Sequence, residues 1–109
     1  MTKISTTLDH LDSCIQRARS FIHGLCEVDG KFQVSQLDQH QQVTSELALS
    51  TAELECARNY LTYASELGDF EKTLASSFAA ESMQNIRNRL ACCPEDFGLK
   101  ESDLQHATL

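Results

Sequence analysis

The stretch Lys31–Leu67, KFQVSQLDQHQQVTSELALSTAELECARNYLTYASEL, contains no glycine and no proline, and Gly68 follows it. The two residue types that most disfavour a helix interior are therefore absent from it. Ser35 can cap the start of a helix here, and Gly68 can end it. The stretch predicts one helix over residues 35–67, about 50 Å long at about 1.5 Å per residue.

Apolar residues follow two stripes along this helix. The first stripe has the alternating three- and four-residue steps of a coiled-coil seam. It comprises His40, Val43, Leu47, Ser50, Leu54, Ala57, Leu61 and Ala64. The second stripe comprises Leu49, Ala52, Cys56, Tyr60 and Tyr63. Two apolar stripes predict that the helix packs on two sides.

Helical spacing of apolar residues also predicts a helix before and a helix after this one. The first covers about 6–29, with Thr6 as its N-cap and Asp29-Gly30 as its end. The third covers about 70–91 and is stopped by Pro94. Its apolar stripe comprises Phe70, Leu74, Phe78, Met83, Ile86 and Leu90.

The rest of the chain predicts a short C-terminal helical element near Ser102–His106. Three apolar residues of this region could dock onto the bundle: Phe97, Leu99 and Leu104. Short connections make consecutive helices antiparallel. We therefore expect a single all-α domain over 1–109, an antiparallel bundle of three main helices (about 6–29, 35–67 and 70–91) plus the C-terminal element.

The predicted second helix is longer than its neighbours, and each of them can cover only roughly two thirds of it. Either it bends, most plausibly near Ser50-Thr51 where hydroxyls can bond to the helix backbone, or a second chain covers the remainder. A twofold homodimer is the commonest closed arrangement, and it is the one we expect. The candidate interface residues are Leu47, Leu54, Tyr60, Leu61 and Tyr63.

Composition excludes several classes of partner. The formal charge is −7, which disfavours nucleic acid and anionic membranes. No apolar run approaches the length of a bilayer span, and the first ten residues, MTKISTTLDH, contain no apolar signal core. We expect a cytoplasmic location.

No group of residues predicts catalysis, a metal or a cofactor. No glutamate lies three residues before any of the four histidines, as a di-iron bundle requires, and neither His23 nor His40 has the Lys-Gly context of a phosphotransfer histidine. The acids Glu46, Glu53 and Glu81 are expected on solvated helix faces. The five cysteines, Cys14, Cys26, Cys56, Cys92 and Cys93, are expected to be reduced and to fill small core positions.

Two surface features could recognise a ligand. The segment Arg87-Asn88-Arg89 could bind an anion, although basic residues at a helix C-terminus more often offset the helix dipole. Tyr60 and Tyr63, with Arg58 and Asn59 beside them, suit a protein interface or ordinary packing equally well.

The segment Leu37–Leu99 resembles the helical N-terminal extension of acyl-CoA dehydrogenase relatives of the methylsuccinyl-CoA dehydrogenase type. The residues that carry the resemblance are Leu37-Asp38-Gln39-His40-Gln41, Ser45-Glu46-Leu47-Ala48, Ala57-Arg58-Asn59-Tyr60-Leu61-Thr62-Tyr63-Ala64, Phe78-Ala79-Ala80-Glu81 and Arg87-Asn88-Arg89-Leu90. In that family the flavin and the catalytic carboxylate belong to other domains. The resemblance thus implies an accessory or oligomerisation module, with no activity carried over to this chain, and it is equally compatible with a free-standing protein that docks elsewhere.

We therefore expect a non-catalytic protein-interaction module that forms a homodimer, docks onto a larger enzyme, or does both. The alternative is a small regulatory or sensory bundle that binds an effector or a partner protein.

Overall fold

The computed structural model describes residues 2–105, and of Thr2 it describes the backbone alone. The elements in chain order are α1 (Thr2–Leu25), β1 (Glu27–Val28), β2 (Lys31–Phe32), α2 (Val34–Asp38), α3 (Gln41–Ala64), α4 (Asp69–Cys92), a 3₁₀ turn (Pro94–Phe97) and α5 (Glu101–Gln105). Three long helices pack against one another, and α3 and α4 make the most extensive contact. The predicted all-α bundle with a short C-terminal helix is confirmed.

The predicted helix 35–67 is wrong in its length, because the chain turns at Gln39 and His40 between α2 and α3. The amides of these two residues donate to carbonyls three residues earlier, at 3.1 and 2.9 Å. In an unbroken helix Leu37 would lie about 120° around the axis from Val43. Both side chains pack against the core, and the turn makes this possible.

The hydroxyl-to-backbone bond expected near Ser50-Thr51 is present, and the alternative bend there stays a prediction. The Thr51 hydroxyl donates to the carbonyl of Leu47 at 2.9 Å, and α3 continues through it. Helices α1, α3 and α4 each have 24 residues. Since α3 is no longer than its neighbours, helix length gives no reason for a second chain.

A small hairpin follows α1, where the sequence predicted helix as far as residue 29. The helix begins at Thr2, ahead of the predicted cap, and ends at Leu25. Strands β1 and β2 pair antiparallel around Asp29 and Gly30, whose φ angles are 53° and 78°. Asp-Gly with two positive φ angles is the turn that a two-residue hairpin requires. Because the apolar residues up to Leu25 follow helical spacing, the sequence prediction continued the first helix as far as this turn.

One apolar core lies between α1, α3 and α4, and the C-terminal segment closes it. Its fully buried members include Leu8, Leu11, Cys14, Ile15, Ala18, Leu54, Ala57, Ala79, Ile86 and Leu90. The predicted docking of Phe97, Leu99 and Leu104 is confirmed, since all three are buried. Of the expected C-terminal element, α5 ends at Gln105, and His106 lies outside the described residues.

Candidate interaction surface

The predicted interface residues separate into a buried group and an exposed group. Leu47 and Leu54 are buried within the single chain, and Leu61 is half-buried against the same core. The seam therefore faces α1 and α4, so Leu47 and Leu54 cannot form a surface for another chain. Tyr60 is half-buried, whereas the side chain of Tyr63 is 67% exposed.

The second stripe of α3 faces solvent. Leu49 is exposed, and so are Ala52 and Cys56. A three-helix bundle gives each helix two neighbours, and Leu49, Ala52 and Cys56 lie on the side of α3 that neither α1 nor α4 covers. The stripe thus supplies an apolar surface in place of a second packed face.

The first half of the α4 stripe also faces outward, contrary to the prediction that it packs inside. Phe70 is 71% exposed, and Leu74 and Phe78 are also exposed. Phe78 and Met83 are five residues apart, which places them about 140° apart around the helix, so one face cannot bury both. The core takes Met83, and the small residues Ala75 and Ala79 occupy the buried face closer to the start of α4.

The outward residues of the two helices meet near the α3–α4 turn. The rings of Tyr60 and Phe78 lie 5.7 Å apart with an interplanar angle of 51°. Phe70, Leu74 and Phe78 follow one another at four-residue steps on one side of α4. We call the combined surface the aromatic face. It comprises Tyr60, Tyr63, Leu67, Phe70, Leu74 and Phe78.

The aromatic face is large for a chain of this size. The exposed fractions of its five most exposed side chains add to about two and a half whole residues, or roughly 500 Å² at about 200 Å² each. The largest apolar patch on a typical monomer measures about 300–600 Å² and is often functional. The aromatic face therefore lies in the upper part of that range.

Acidic residues outnumber basic ones in the segment that carries the aromatic face. Residues 60–81 contain Glu66, Asp69, Glu71 and Glu81, against the single cation Lys72. Across residues 2–105 no ion pair involves any of these four acids. Glu66 and Glu81 are exposed and follow Tyr63 and Phe78 by three residues, and we call these two acids the rim of the face. The rim is negative, and no ion pair offsets it within the part of the chain that the structure describes.

Arg58, which the sequence placed beside the tyrosines, turns toward α1 instead. It donates to Asp9 at 2.7 Å and to Asp12 at 3.0 Å. Partial burial opposes its charge, but these two carboxylates more than offset that effect and raise the pKa of Arg58. Arg58 therefore joins α1 to α3 and is not available to a partner at the aromatic face. Its neighbour Asn59 is exposed.

The other sequence candidates serve the fold. Arg89 contacts Glu53 across the α3–α4 interface, and Asn85 donates to the same carboxylate at 3.3 Å. Arg87 donates to the carbonyl of Leu104 at 3.3 Å and so binds the C-terminal helix to α4. The segment Arg87-Asn88-Arg89 thus has internal partners for both guanidinium groups. Glu46 accepts from a glutamine one turn earlier in the chain, at 2.9 Å.

The expectation that all five cysteines fill the core is correct for two of them. Cys14 and Cys26 are buried, and burial raises the pKa of Cys14. The remaining three, Cys56, Cys92 and Cys93, are exposed. The neighbouring Cys92, slight burial and nearby carboxylates raise the pKa of Cys93, which disfavours the nucleophilic thiolate.

The histidines that the structure describes are scattered over the bundle. His23 contacts Glu27, four residues later in the chain, at 2.9 Å. His10 Nε2 lies 2.6 Å from the carbonyl oxygen of Asp103, and His40 lies at the turn between α2 and α3. Among residues 2–105, no three His, Cys, Asp or Glu side chains are grouped as a metal site requires. None of the described helices combines the length and apolar character that a membrane span needs.

A groove lies beside the two adjacent cysteines. Its volume is about 380 Å³, and α3, α4 and the 3₁₀ turn line it with Val43, Arg89, Cys92 and Phe97 among others. This volume lies at the lower end of the range for small-molecule sites.

Comparison with known proteins gives no match: no protein-family model, no curated protein and no solved structure corresponds to this chain.

Proposed function

We propose that this protein is a non-catalytic association module that binds another protein through the aromatic face. The observation that carries the proposal is the exposure of Tyr63, Phe70, Leu74 and Phe78 on one surface of the α3–α4 pair. Tyrosine and phenylalanine are enriched at the buried centres of protein interfaces. Covering roughly 500 Å² of apolar surface favours association by about 12 kcal/mol before the costs of binding are subtracted.

The proposal covers both arrangements expected from the sequence. A homodimer would place two aromatic faces together, and a larger enzyme, such as an acyl-CoA dehydrogenase-like protein, would supply a separate complementary surface. Neither arrangement needs a catalytic residue, metal or cofactor in this chain, and both suit a cytoplasmic protein. Association is favoured by the apolar composition of one face of the α3–α4 pair. It is not favoured by helix length, because α3 is no longer than α1 or α4.

The alternative function, an effector-binding regulatory bundle, has its best candidate site in the groove beside Cys92. Native mass spectrometry of the protein purified from cells separates the two. A retained small molecule that is lost on Val43→Trp, a change that fills the groove, supports the effector. A spectrum of the bare chain leaves association as the function.

Site-specific photocrosslinking in cells tests the association directly. A benzophenone amino acid replaces Tyr63 or Phe70 in separate variants, and Val34 in a control. Val34 is 67% exposed, the same fraction as Tyr63, but it lies in α2. We expect discrete adducts from the two aromatic-face positions and none from position 34.

The mass of the adduct identifies the arrangement. A band at twice the 12.2 kDa chain mass indicates a homodimer, and any other discrete band indicates a different partner. If neither aromatic-face position yields an adduct above the control, the proposed function is wrong.

A further inference from the structure

We infer that the partner seated on the aromatic face is a basic amphipathic helix of a different protein. This inference rests on the proposed function and specifies the chemistry of the partner. It is carried by the shape of the face and by the charge of its rim.

The shape suits a helix. The face has two apolar rows on antiparallel helices that pack side by side. One row is Tyr60 and Tyr63 on α3, continued by Leu67 in the turn after it, and the other is Phe70, Leu74 and Phe78 on α4. The α4 row spans eight residue steps, or about 12 Å. A third helix laid between two such rows would present apolar anchors at i, i+3 or i+4, and i+7. The footprint therefore matches two to three turns of an amphipathic helix.

The rim selects a basic partner. The four carboxylates in residues 60–81 exceed the one lysine by three charges, and the whole chain carries −7. Arg58, the nearest guanidinium on α3, is already bonded to Asp9 and Asp12 of α1. Lysine or arginine on the flanks of a docked helix would meet Glu66 and Glu81, whereas acidic flanks would be repelled.

Charge disfavours a second copy of this chain. A twofold contact pairs the same patch on both subunits, so the negative rim of one copy would face the negative rim of the other. A basic helix meets the same face without repulsion.

A selection with displayed helical peptides tests the inference. The library fixes leucines at i, i+3, i+4 and i+7 in peptides of about 18 residues and encodes lysine or glutamate with equal frequency at each flanking position. It is selected on the full chain and, in parallel, on the double variant Phe70→Ser/Leu74→Ser. Circular dichroism establishes that the double variant is folded. We expect peptides retained on the native chain to be enriched in lysine, and no enrichment on the double variant.

Charge reversal provides the second measurement. The affinity of the most enriched peptide is measured by fluorescence anisotropy for the native chain and for Glu66→Lys/Glu81→Lys, in which two exposed rim acids become basic. We expect a loss of about tenfold that shrinks at high salt. The matched control Glu55→Lys/Glu101→Lys makes the same change in net charge away from the face, and we expect less than about a twofold loss.

Each contrary result has a distinct meaning. Enrichment without a preference for lysine, or equal losses in the two charge-reversal variants, overturns the basic partner and leaves the association module standing. A light-scattering mass of a dimer that becomes monomeric in Phe70→Ser/Leu74→Ser identifies a second copy as the occupant and also overturns the inference. No enrichment on the native chain, together with no crosslinking at Tyr63 or Phe70, overturns the inference and the proposed function.

Discussion

Replacing Leu54 by alanine should cost the bundle about 3–4 kcal/mol of unfolding free energy. Leu54 is 1% exposed and belongs to the central core cluster. Removing the branched end of its side chain forfeits about 2 kcal/mol of transfer free energy at about 0.8 kcal/mol per buried carbon group. The cavity left between three helices adds the rest, as in other buried leucine-to-alanine changes of about 2–5 kcal/mol.

The matched control is Leu49→Ala, which makes the same chemical change on the same helix. Leu49 is 52% exposed, so its truncation leaves no cavity. We expect a change of less than about 0.5 kcal/mol. Because the two sites share helix, residue type and mutant residue, the difference between them measures burial alone.

The assay is urea unfolding followed by circular dichroism, with thermal unfolding as a check. At about 4 °C per kcal/mol for a domain of this size, Leu54→Ala should lower Tm by about 12–16 °C. Equal losses for the two variants would refute the placement of the seam in the core. A loss in Leu49→Ala that depends on protein concentration would show instead that the outer stripe is buried in an oligomer.

Three further predictions concern the closure of the bundle. Gly98→Ala should destabilise the protein by more than about 1 kcal/mol in urea unfolding, because Gly98 has a φ of 69° and a Cβ there would lie 2.5 Å from an aromatic ring of α1. The control Gly24→Ala adds its Cβ in open space within α1 and should be neutral or slightly stabilising. Arg89→Met should cost about 1–3 kcal/mol in the same assay, because it leaves a half-buried glutamate of α3 without its charged partner. Asp103→Asn should lower Tm at about pH 6, and the difference from the native chain should vanish as the medium becomes acidic enough to protonate the aspartate.

The sign of the Asp103 effect follows from its partners. The backbone amide of Lys100, at 2.8 Å, and the guanidinium of Arg17, at 3.2 Å, lower the pKa of Asp103 below its ordinary value. A depressed pKa contributes stability above the unfolded-state value of about 3.9, and that stability is lost as pH falls through the folded-state pKa. A difference in Tm that persists unchanged well below that range would show that the carboxylate charge is not what holds α5.

The remaining outcomes that contradict these predictions are equally direct. Equal unfolding free energies for Gly98→Ala and Gly24→Ala would mean that neither the positive φ nor the close ring constrains the C-terminal turn. Full stability of Arg89→Met would mean that packing alone joins α3 to α4 at this point.

The sequence predicted the bundle because helical periodicity is a local property. The apolar residues from Leu47 to Leu54 and from Met83 to Leu90 are spaced so that a helix, and no other regular structure, places them on one side. Gly68, which comes directly before α4, and Pro94, which follows it, also act locally. Fold class, the last long helix and the docked C-terminal residues could therefore be obtained without coordinates.

The break before α3 and the aromatic face could not be obtained in the same way. No glycine or proline marks the turn at Gln39 and His40, because the turn exists to bring Leu37 onto a core that other parts of the chain create. The Asp29-Gly30 hairpin did have a local signal, but the helical spacing of the preceding residues dominated the interpretation.

The amino-acid sequence by itself determined that the chain forms a bundle of three long helices and that acidic residues outnumber basic ones. Tertiary structure decided which of two competing apolar stripes is buried on α3 and on α4. A helix in a three-helix bundle has room for one buried face, so the packing of small residues at Ala75 and Ala79 excluded Phe70 and Phe78 from the core. The aromatic face is therefore exposed only because α3 and α4 turn their other apolar residues toward the core.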